Sequence, residues 1–156
     1  MHTLQSNFII FKYVISNLEI YLLFGEKKMK LLKWKDEYSM HELEIDKQHK
    51  RLFELSNEIY HLVEKGIDDQ EHFRKLFIAL NDYSIEHFIY EEIYIQEEDF
   101  PGLEEHILQH QQFNKELKNL IDSERHVEDI GEFVTTWLVQ HVIEEDMKYK
   151  RFIAHQ

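Results

Sequence analysis

Two pairs of metal-ligating side chains stand four residues apart in the sequence. One pair is His87 and Glu91, and the other is His106 and His110. Residues four apart on an α-helix lie on the same face with their Cβ atoms about 5–6 Å apart, so each pair could hold a metal ion. Either pair alone is weak evidence in a chain that contains 11 His and 31 acidic residues.

A third segment with ligand types runs from His141 to Asp146 and adds one imidazole and three carboxylates, while His49 follows three residues after Asp46. At about 100° per residue, Glu145 lies on the same face of a helix as His141, whereas Asp146 lies about 140° around it. Helical periodicity therefore favours Glu145. Asp146 becomes the ligand if the site is wide enough for two metal ions.

Four amphipathic segments position these residues. The apolar spacing predicts helices at about 44–65, 70–97, 103–124 and 129–152, with breaks near Gly66 and at Phe100-Pro101-Gly102. Such short connections predict an all-α fold, an up-down-up-down antiparallel four-helix bundle. The ligand types share the apolar stripes of these helices. Buried imidazoles and carboxylates that converge need a common partner, and a metal centre in the core supplies one.

Composition excludes several classes of function. The chain has only 4 Gly and 1 Pro, which disfavours an all-β fold. Its 18 basic and 31 acidic residues give a net charge of −13, which disfavours binding to nucleic acid or to anionic lipid. It contains 0 Cys, which excludes disulfides, thiolate metal sites and a cysteine nucleophile. Imidazole and carboxylate ligands suit iron, manganese or zinc.

The first 28 residues differ from the rest of the chain. Their apolar stretch is interrupted by Lys12, Asn17 and Glu19, so it predicts neither a signal peptide nor membrane insertion. We expect residues 1–28 to be an N-terminal extension, either upstream of a true translation start at Met29 or an extra helix. Residues 29–156 are expected to form the domain, in a cytoplasmic protein. The intact mass of the natively expressed protein decides between the two starts.

The motifs together resemble those of the hemerythrins, in particular the single-domain bacterial ones. The resemblance covers residues 33–152 and rests on Ile45-Asp46-Lys47-Gln48-His49, His87-Phe88 with Glu91-Glu92, Pro101 with His106 and His110, and Trp137-Leu138 with His141 and Asp146. It implies a bundle that holds two iron ions joined by an oxo or hydroxo bridge. It also implies how the ligands are shared: His106, His110 and His141 on one iron, His49 and His87 on the other, and Glu91 and Asp146 bridging both. By resemblance, Asp146 is thus favoured over Glu145.

The resemblance further implies reversible O2 binding without catalysis, in an oxygen carrier, store or delivery protein with a redox or oxidase partner. Leu138 would lie over the O2 site by resemblance, and Trp137, Phe113 and Ile45 are further candidates for its walls. Two alternatives are an O2 or redox sensor that acts through a separate partner and, ranked lower, a di-iron oxidase or peroxidase. Oxidase sites of the ferritin-like kind use two Glu-x-x-His motifs, and this chain has only the one that ends at His61.

One position departs from the family pattern. His41 stands where bacterial members usually have a glycine, which predicts an altered loop before the first helix. The remaining histidines match no family ligand, and we expect them at the surface: His2, His61, His72, His126 and His155.

Overall fold

The computed structural model describes residues 29–123 and 126–156, and within them the regular structure is entirely helical. Helix α1 spans Leu43–Glu64, α2 spans Gln70–Glu97, α3 spans Leu103–Asp122, α4 spans Val127–Gln140 and α5 spans Asp146–Ile153. A π-helical turn, His141–Glu145, joins α4 to α5, so these two helices form one rod. The prediction of four helical rods is confirmed, and residues 1–28 lie outside the described part of the chain.

Local signals fix where the helices begin and end. The side chain of Glu42 accepts a hydrogen bond from the backbone of Ile45 at the start of α1. Asp69 does the same for His72 at the start of α2. Both caps satisfy an amide that has no partner within its own helix. Gly66, with φ of 65°, takes the left-handed conformation just after α1. The breaks predicted from sequence are therefore real helix ends.

The rods form a four-sided bundle. Helix α1 packs against α2 and α4, and α3 also packs against α2 and α4, so each rod touches its two neighbours. Because the connections are short, successive rods run in opposite directions. The end of the bundle near the α1–α2 and α3–α4 connections has an apolar core that includes Ile59, Phe73, Phe77 and Leu117. The other end carries the buried polar groups described below.

A strap formed by residues 29–38 lies along the outside of α1 and α4. The side chain of Asn57 holds it at both polar atoms of Leu32, accepting from the amide at 2.7 Å and donating to the carbonyl at 2.8 Å. Met29 is buried where the strap passes Gly131, and a Cβ atom at Gly131 would clash with the Met29 sulfur. Glycine at position 131 thus permits the close approach. Among the described helices, none is both long and apolar enough to cross a membrane.

Candidate metal centre

Seven ligand-type side chains converge at the polar end of the bundle, and every rod contributes at least one. Helix α1 supplies one imidazole, α2 an imidazole and a carboxylate, α3 two imidazoles, and the α4–α5 rod an imidazole and a carboxylate. Each side chain is at most 3% exposed: His49, His87, Glu91, His106, His110, His141 and Asp146. The structure thus brings together all seven residues that the sequence analysis named.

The imidazoles fall into two groups. Ligand atoms of His106, His110, His141 and Glu91 all lie within 4.8 Å of one another, and those of His49, His87 and Glu91 form a second such group. In the first group, the Nε2 atoms of His110 and His141 are 2.9 Å apart. In the second, the Nε2 atoms of His49 and His87 are 3.1 Å apart. The split into three and two imidazoles is the one that the resemblance implies.

The two carboxylates lie between the groups. Glu91 Oε2 is 3.1 Å from His106 Nε2, and Glu91 Oε1 is 3.8 Å from His49 Nε2. Asp146 Oδ1 is 3.1 Å from His141 Nε2, and Asp146 Oδ2 is 3.3 Å from His49 Nε2. Each carboxylate therefore presents one oxygen to each group of imidazoles, which is the arrangement needed to bridge two metal ions.

The π turn explains why Asp146 and not Glu145 faces the cluster. A π turn adds one residue to a helical turn, so His141 and Asp146, five apart in sequence, lie on the same face. Glu145 instead accepts hydrogen bonds from Gln109 at 2.7 Å and Lys148 at 2.6 Å. The expectation from uniform α-helical spacing, which favoured Glu145, is therefore at odds with the structure because the helix is locally wider than an α-helix.

The polar atoms of the cluster fit a metal centre better than a hydrogen-bonded core. Both oxygens of Asp146 are buried without a hydrogen bond, although imidazole nitrogens lie close to them, and His49 Nδ1 also has no partner. Unsatisfied buried polar atoms are costly and rare in folded proteins. Imidazole nitrogens and carboxylate oxygens without sulfur are a donor set that suits iron. Metal ions among these atoms would satisfy the oxygens.

Burial and mutual charge set the protonation of the cluster. Burial lowers the pKa of His87 to about 3 and the pKa of His141 well below its usual value, and the pKa of His49 is lowered for the same reason. These rings are neutral near pH 7, as ligands must be. Burial also raises the pKa of Asp146 well above its usual value, and the neighbouring charge of Glu91 adds to this shift.

Glu91 behaves in the opposite way to Asp146. Burial opposes its ionisation, but the adjacent imidazole of His87 and hydrogen bonds from His106 and His110 hold its pKa well below the usual range. Tyr149, which is buried, donates a hydrogen bond to Glu91 Oε1 at 2.8 Å. Burial and the charge of Glu91 raise the pKa of the Tyr149 hydroxyl well above its usual value, so the hydroxyl keeps its proton.

Aromatic rings surround the three-imidazole group. The ring of Trp137 stacks on His141 with centroids 4.2 Å apart, and Phe88 stacks on His110 at 3.8 Å. Phe113 lies against Trp137 at 4.2 Å. Leu138 and Ile45, the other two residues predicted to line the pocket, are 1% and 0% exposed in the same core. Phe88 was not predicted as a lining residue, although it adjoins His87 in sequence.

Two side chains that accept hydrogen bonds from ligand imidazoles were also not predicted from the sequence. Gln48 Oε1 accepts a hydrogen bond from His87 Nδ1 at 3.0 Å, and Glu92 Oε1 accepts one from His110 Nδ1 at 2.8 Å. Gln48 is adjacent to the ligand His49 in sequence, and Glu92 is adjacent to the ligand Glu91. Each nevertheless contacts an imidazole of the following helix. Adjacent residues on a helix point about 100° apart, so their contacts could be found only once the packing of the helices was known.

The other histidines lie away from the cluster. His41 is exposed and has φ of 61°, the left-handed conformation that favours glycine. Its backbone amide donates to the Ser39 hydroxyl at 3.1 Å, and that hydroxyl donates to Asp46 at 2.5 Å. The histidines expected at the surface are exposed where the structure describes them, and His2 lies outside the described residues: His61, His72, His126 and His155.

Comparison with known proteins identifies the family. The sequence model described as "Hemerythrin HHE cation binding domain" matches residues 43–153, from the first residue of α1 to the last residue of α5. The chain belongs to the hemerythrin family. Membership implies that the cluster is a cation-binding centre whose metal is iron, in agreement with its donor atoms.

Curated relatives of this hemerythrin-family chain are bacterial proteins of similar length. A bacteriohemerythrin of Clostridium acetobutylicum is 29% identical over 124 residues, which cover 74% of this chain and 96% of the relative. A bacteriohemerythrin of Pseudomonas paraeruginosa is 26% identical over 130 residues, covering 80% of this chain and 82% of the relative. One of Campylobacter jejuni is 27% identical over 116 residues, covering 69% and 84%. The predicted family is confirmed.

Proposed function

We propose that this chain binds O2 reversibly at a pair of iron ions, as an oxygen carrier, store or delivery protein of the cytoplasm. The observation that carries the proposal is the composition and setting of the cluster: five buried imidazoles and two buried carboxylates, packed against aromatic and aliphatic side chains. When bound, the two irons supply two electrons and an open coordination position for O2. The family membership and the bacteriohemerythrin relatives support this function.

Each residue of the site has a defined task in this proposal. His106, His110 and His141 would hold one iron, His49 and His87 the other, and Glu91 and Asp146 would bridge the pair. The two-imidazole position has fewer protein ligands, so an iron held there would have room for O2. Tyr149 fixes the orientation of Glu91 through its hydrogen bond.

The apolar side chains would protect the reduced centre. Trp137 and Phe88 stack on imidazoles of the three-imidazole group, and Phe88 also lies 5.5 Å from His87 of the two-imidazole group. Leu138 is buried in the same core. Such a lining excludes water and limits the delivery of protons. A site kept dry in this way would favour reversible binding of O2 over its reduction. An apolar lining therefore suits a carrier better than an oxidase or peroxidase, which would need protons and an electron donor at every turnover.

An optical titration of the reduced, iron-loaded protein with O2 tests the proposal. We expect a charge-transfer spectrum that appears with one O2 per two irons and disappears when O2 is removed. His49→Ala and Glu91→Ala should abolish it, whereas Glu86→Ala, which removes an exposed carboxylate from the same helix as Glu91, should leave it intact. Steady O2 consumption with turnover of an electron donor would instead establish an enzyme and overturn the carrier proposal.

A further inference from the structure

Two imidazoles of the centre differ in the group that accepts a hydrogen bond from the Nδ1 atom, on the side of the ring away from the cluster. We call such an acceptor a support. His110 gives the hydrogen on its Nδ1 atom to the carboxylate of Glu92, at 2.8 Å. His87 gives the hydrogen on its Nδ1 atom to the amide oxygen of Gln48, at 3.0 Å. His110 belongs to the three-imidazole group and His87 to the two-imidazole group. One metal position therefore has an anionic support and the other a neutral one.

The orientation of the Gln48 amide is fixed by a second contact. Its nitrogen donates to the carboxylate of Glu44 at 3.3 Å, so its oxygen faces His87. An amide oxygen can only accept, which requires His87 to carry its hydrogen on Nδ1 and leaves the Nε2 lone pair facing the cluster. Glu92 likewise requires a hydrogen on Nδ1 of His110, because a carboxylate is also an acceptor.

The two supports differ in strength. A hydrogen bond to a carboxylate is shorter and stronger than one to a neutral amide, and it makes the imidazole a more basic ligand. Loss of such a supporting group typically lowers metal affinity by about 10- to 100-fold. The exposed fraction of the Glu92 side chain is 25%, so its charge is only partly screened by water.

We propose that Glu92 and Gln48 are positioning residues that widen the difference in metal affinity between the two positions, beyond the difference made by three imidazoles against two. Through His110, Glu92 strengthens the three-imidazole position, which fills first. Through His87, the neutral amide of Gln48 leaves the two-imidazole position weaker and more readily vacated. The inference rests on the proposed two-metal function, but it concerns metal affinity and not O2.

Stepwise titration of the metal-free full chain with Co2+, against a competing chelator, tests this inference. We expect wild-type protein to bind two Co2+ ions in unequal steps. Glu92→Gln should weaken the tighter step by about 10- to 100-fold and leave the weaker step within twofold. The control Glu86→Gln removes the same charge from an exposed position on α2 and should change neither step.

A second variant tests the other support without changing net charge. The double variant E44Q/Q48E exchanges the side chains of two residues that hydrogen-bond to each other. The acceptor for His87 Nδ1 then becomes a carboxylate instead of an amide. We expect it to strengthen the weaker step and bring the two affinities closer together. The Co2+ absorption spectrum shows which group of imidazoles fills at each step.

The outcomes separate the two proposals. If Glu92→Gln leaves both steps unchanged, or weakens both equally, the supports do not widen the inequality and the inference is wrong. If the wild-type protein binds fewer than two ions, the proposed function itself fails. If the Co2+ steps respond as expected but the iron-loaded protein shows no reversible O2 spectrum, the inference stands and the carrier function does not.

Discussion

Acid should destabilise the metal-free protein as the pH falls below about 6.5. Burial lowers the pKa values of His49, His87 and His141 in the folded state, in the case of His87 to about 3. In the unfolded chain, these imidazoles titrate near pH 6.5. Above that pH, all three are neutral in both states. As the pH falls below it, only the unfolded state takes up the protons, so stability present at neutral pH is lost.

The carboxyl group of Asp146 partly offsets this loss. Its pKa is raised in the folded state, so the folded protein keeps a proton that the unfolded chain loses as the pH rises through the ordinary range of an aspartate. His87 sets the magnitude, because its pKa is about 3 in the folded state and unfolding therefore takes up one proton on this imidazole between about pH 6 and 4. That proton alone lowers the free energy of unfolding by about 1.4 kcal/mol per pH unit. His49 and His141 act in the same direction. For a domain with about 5–15 kcal/mol of stability, the loss over two pH units is substantial.

Urea unfolding of chelator-treated protein, followed by far-ultraviolet circular dichroism at half-unit steps from pH 4.5 to 7.5, measures this slope. His87→Gln removes the proton uptake of this imidazole and should reduce the slope by about 1.4 kcal/mol per pH unit. Saturating metal that binds the folded state should shift acid unfolding to lower pH. A flat profile between pH 6.5 and 4.5 would refute the reasoning, because it would mean that the imidazoles titrate alike in both states.

Three further predictions follow from other features of the fold. Deletion of Ile143, which is exposed in the π turn, should restore α-helical spacing between His141 and Asp146, so two metal ions should still bind in a metal titration; a deletion one turn earlier should abolish binding. Leu138→Ala should speed autoxidation, measured as decay of the O2 spectrum, and cost about 2–5 kcal/mol of stability in urea unfolding; an unchanged autoxidation rate would argue against a gating role. Because position 41 is left-handed, His41→Val should destabilise the protein by about 1–2 kcal/mol relative to His41→Gly in the same unfolding assay; equal stabilities would contradict this.

Sequence predicted the helices and the ligand types because both depend on short-range patterns. Apolar spacing and the breaks at Gly66 and Pro101 mark the four rods, and the pairs at four-residue spacing mark the faces that meet. Spacing alone failed between His141 and Asp146, because nothing in Val142-Ile143-Glu144-Glu145 distinguishes a π turn from an α turn. There the resemblance to a family, and not helical geometry, indicated the residue that the structure places in the cluster.

The supporting groups could not be predicted for a different reason. Gln48 and Glu92 act on imidazoles of neighbouring helices, across 39 and 18 residues of sequence. Their contacts depend on how the rods are rotated about their own axes, which the sequence pattern fixes only approximately. Similarly, the strained backbone of His41 becomes visible only as a torsion angle, although its position was already notable as a departure from the family pattern.

The separation of the bundle into an apolar end and a polar end bears on how metal enters and leaves. At the apolar end, packing among Ile59, Phe73, Phe77 and Leu117 needs no ion. At the other end, the four rods are joined through a cluster whose polar atoms are only partly satisfied without metal. Local opening of that end costs less than global unfolding. The polar end of the bundle can therefore open locally to exchange its ions while the apolar end keeps the rods in register. The metal then acts as a removable cross-link between rods that are already aligned.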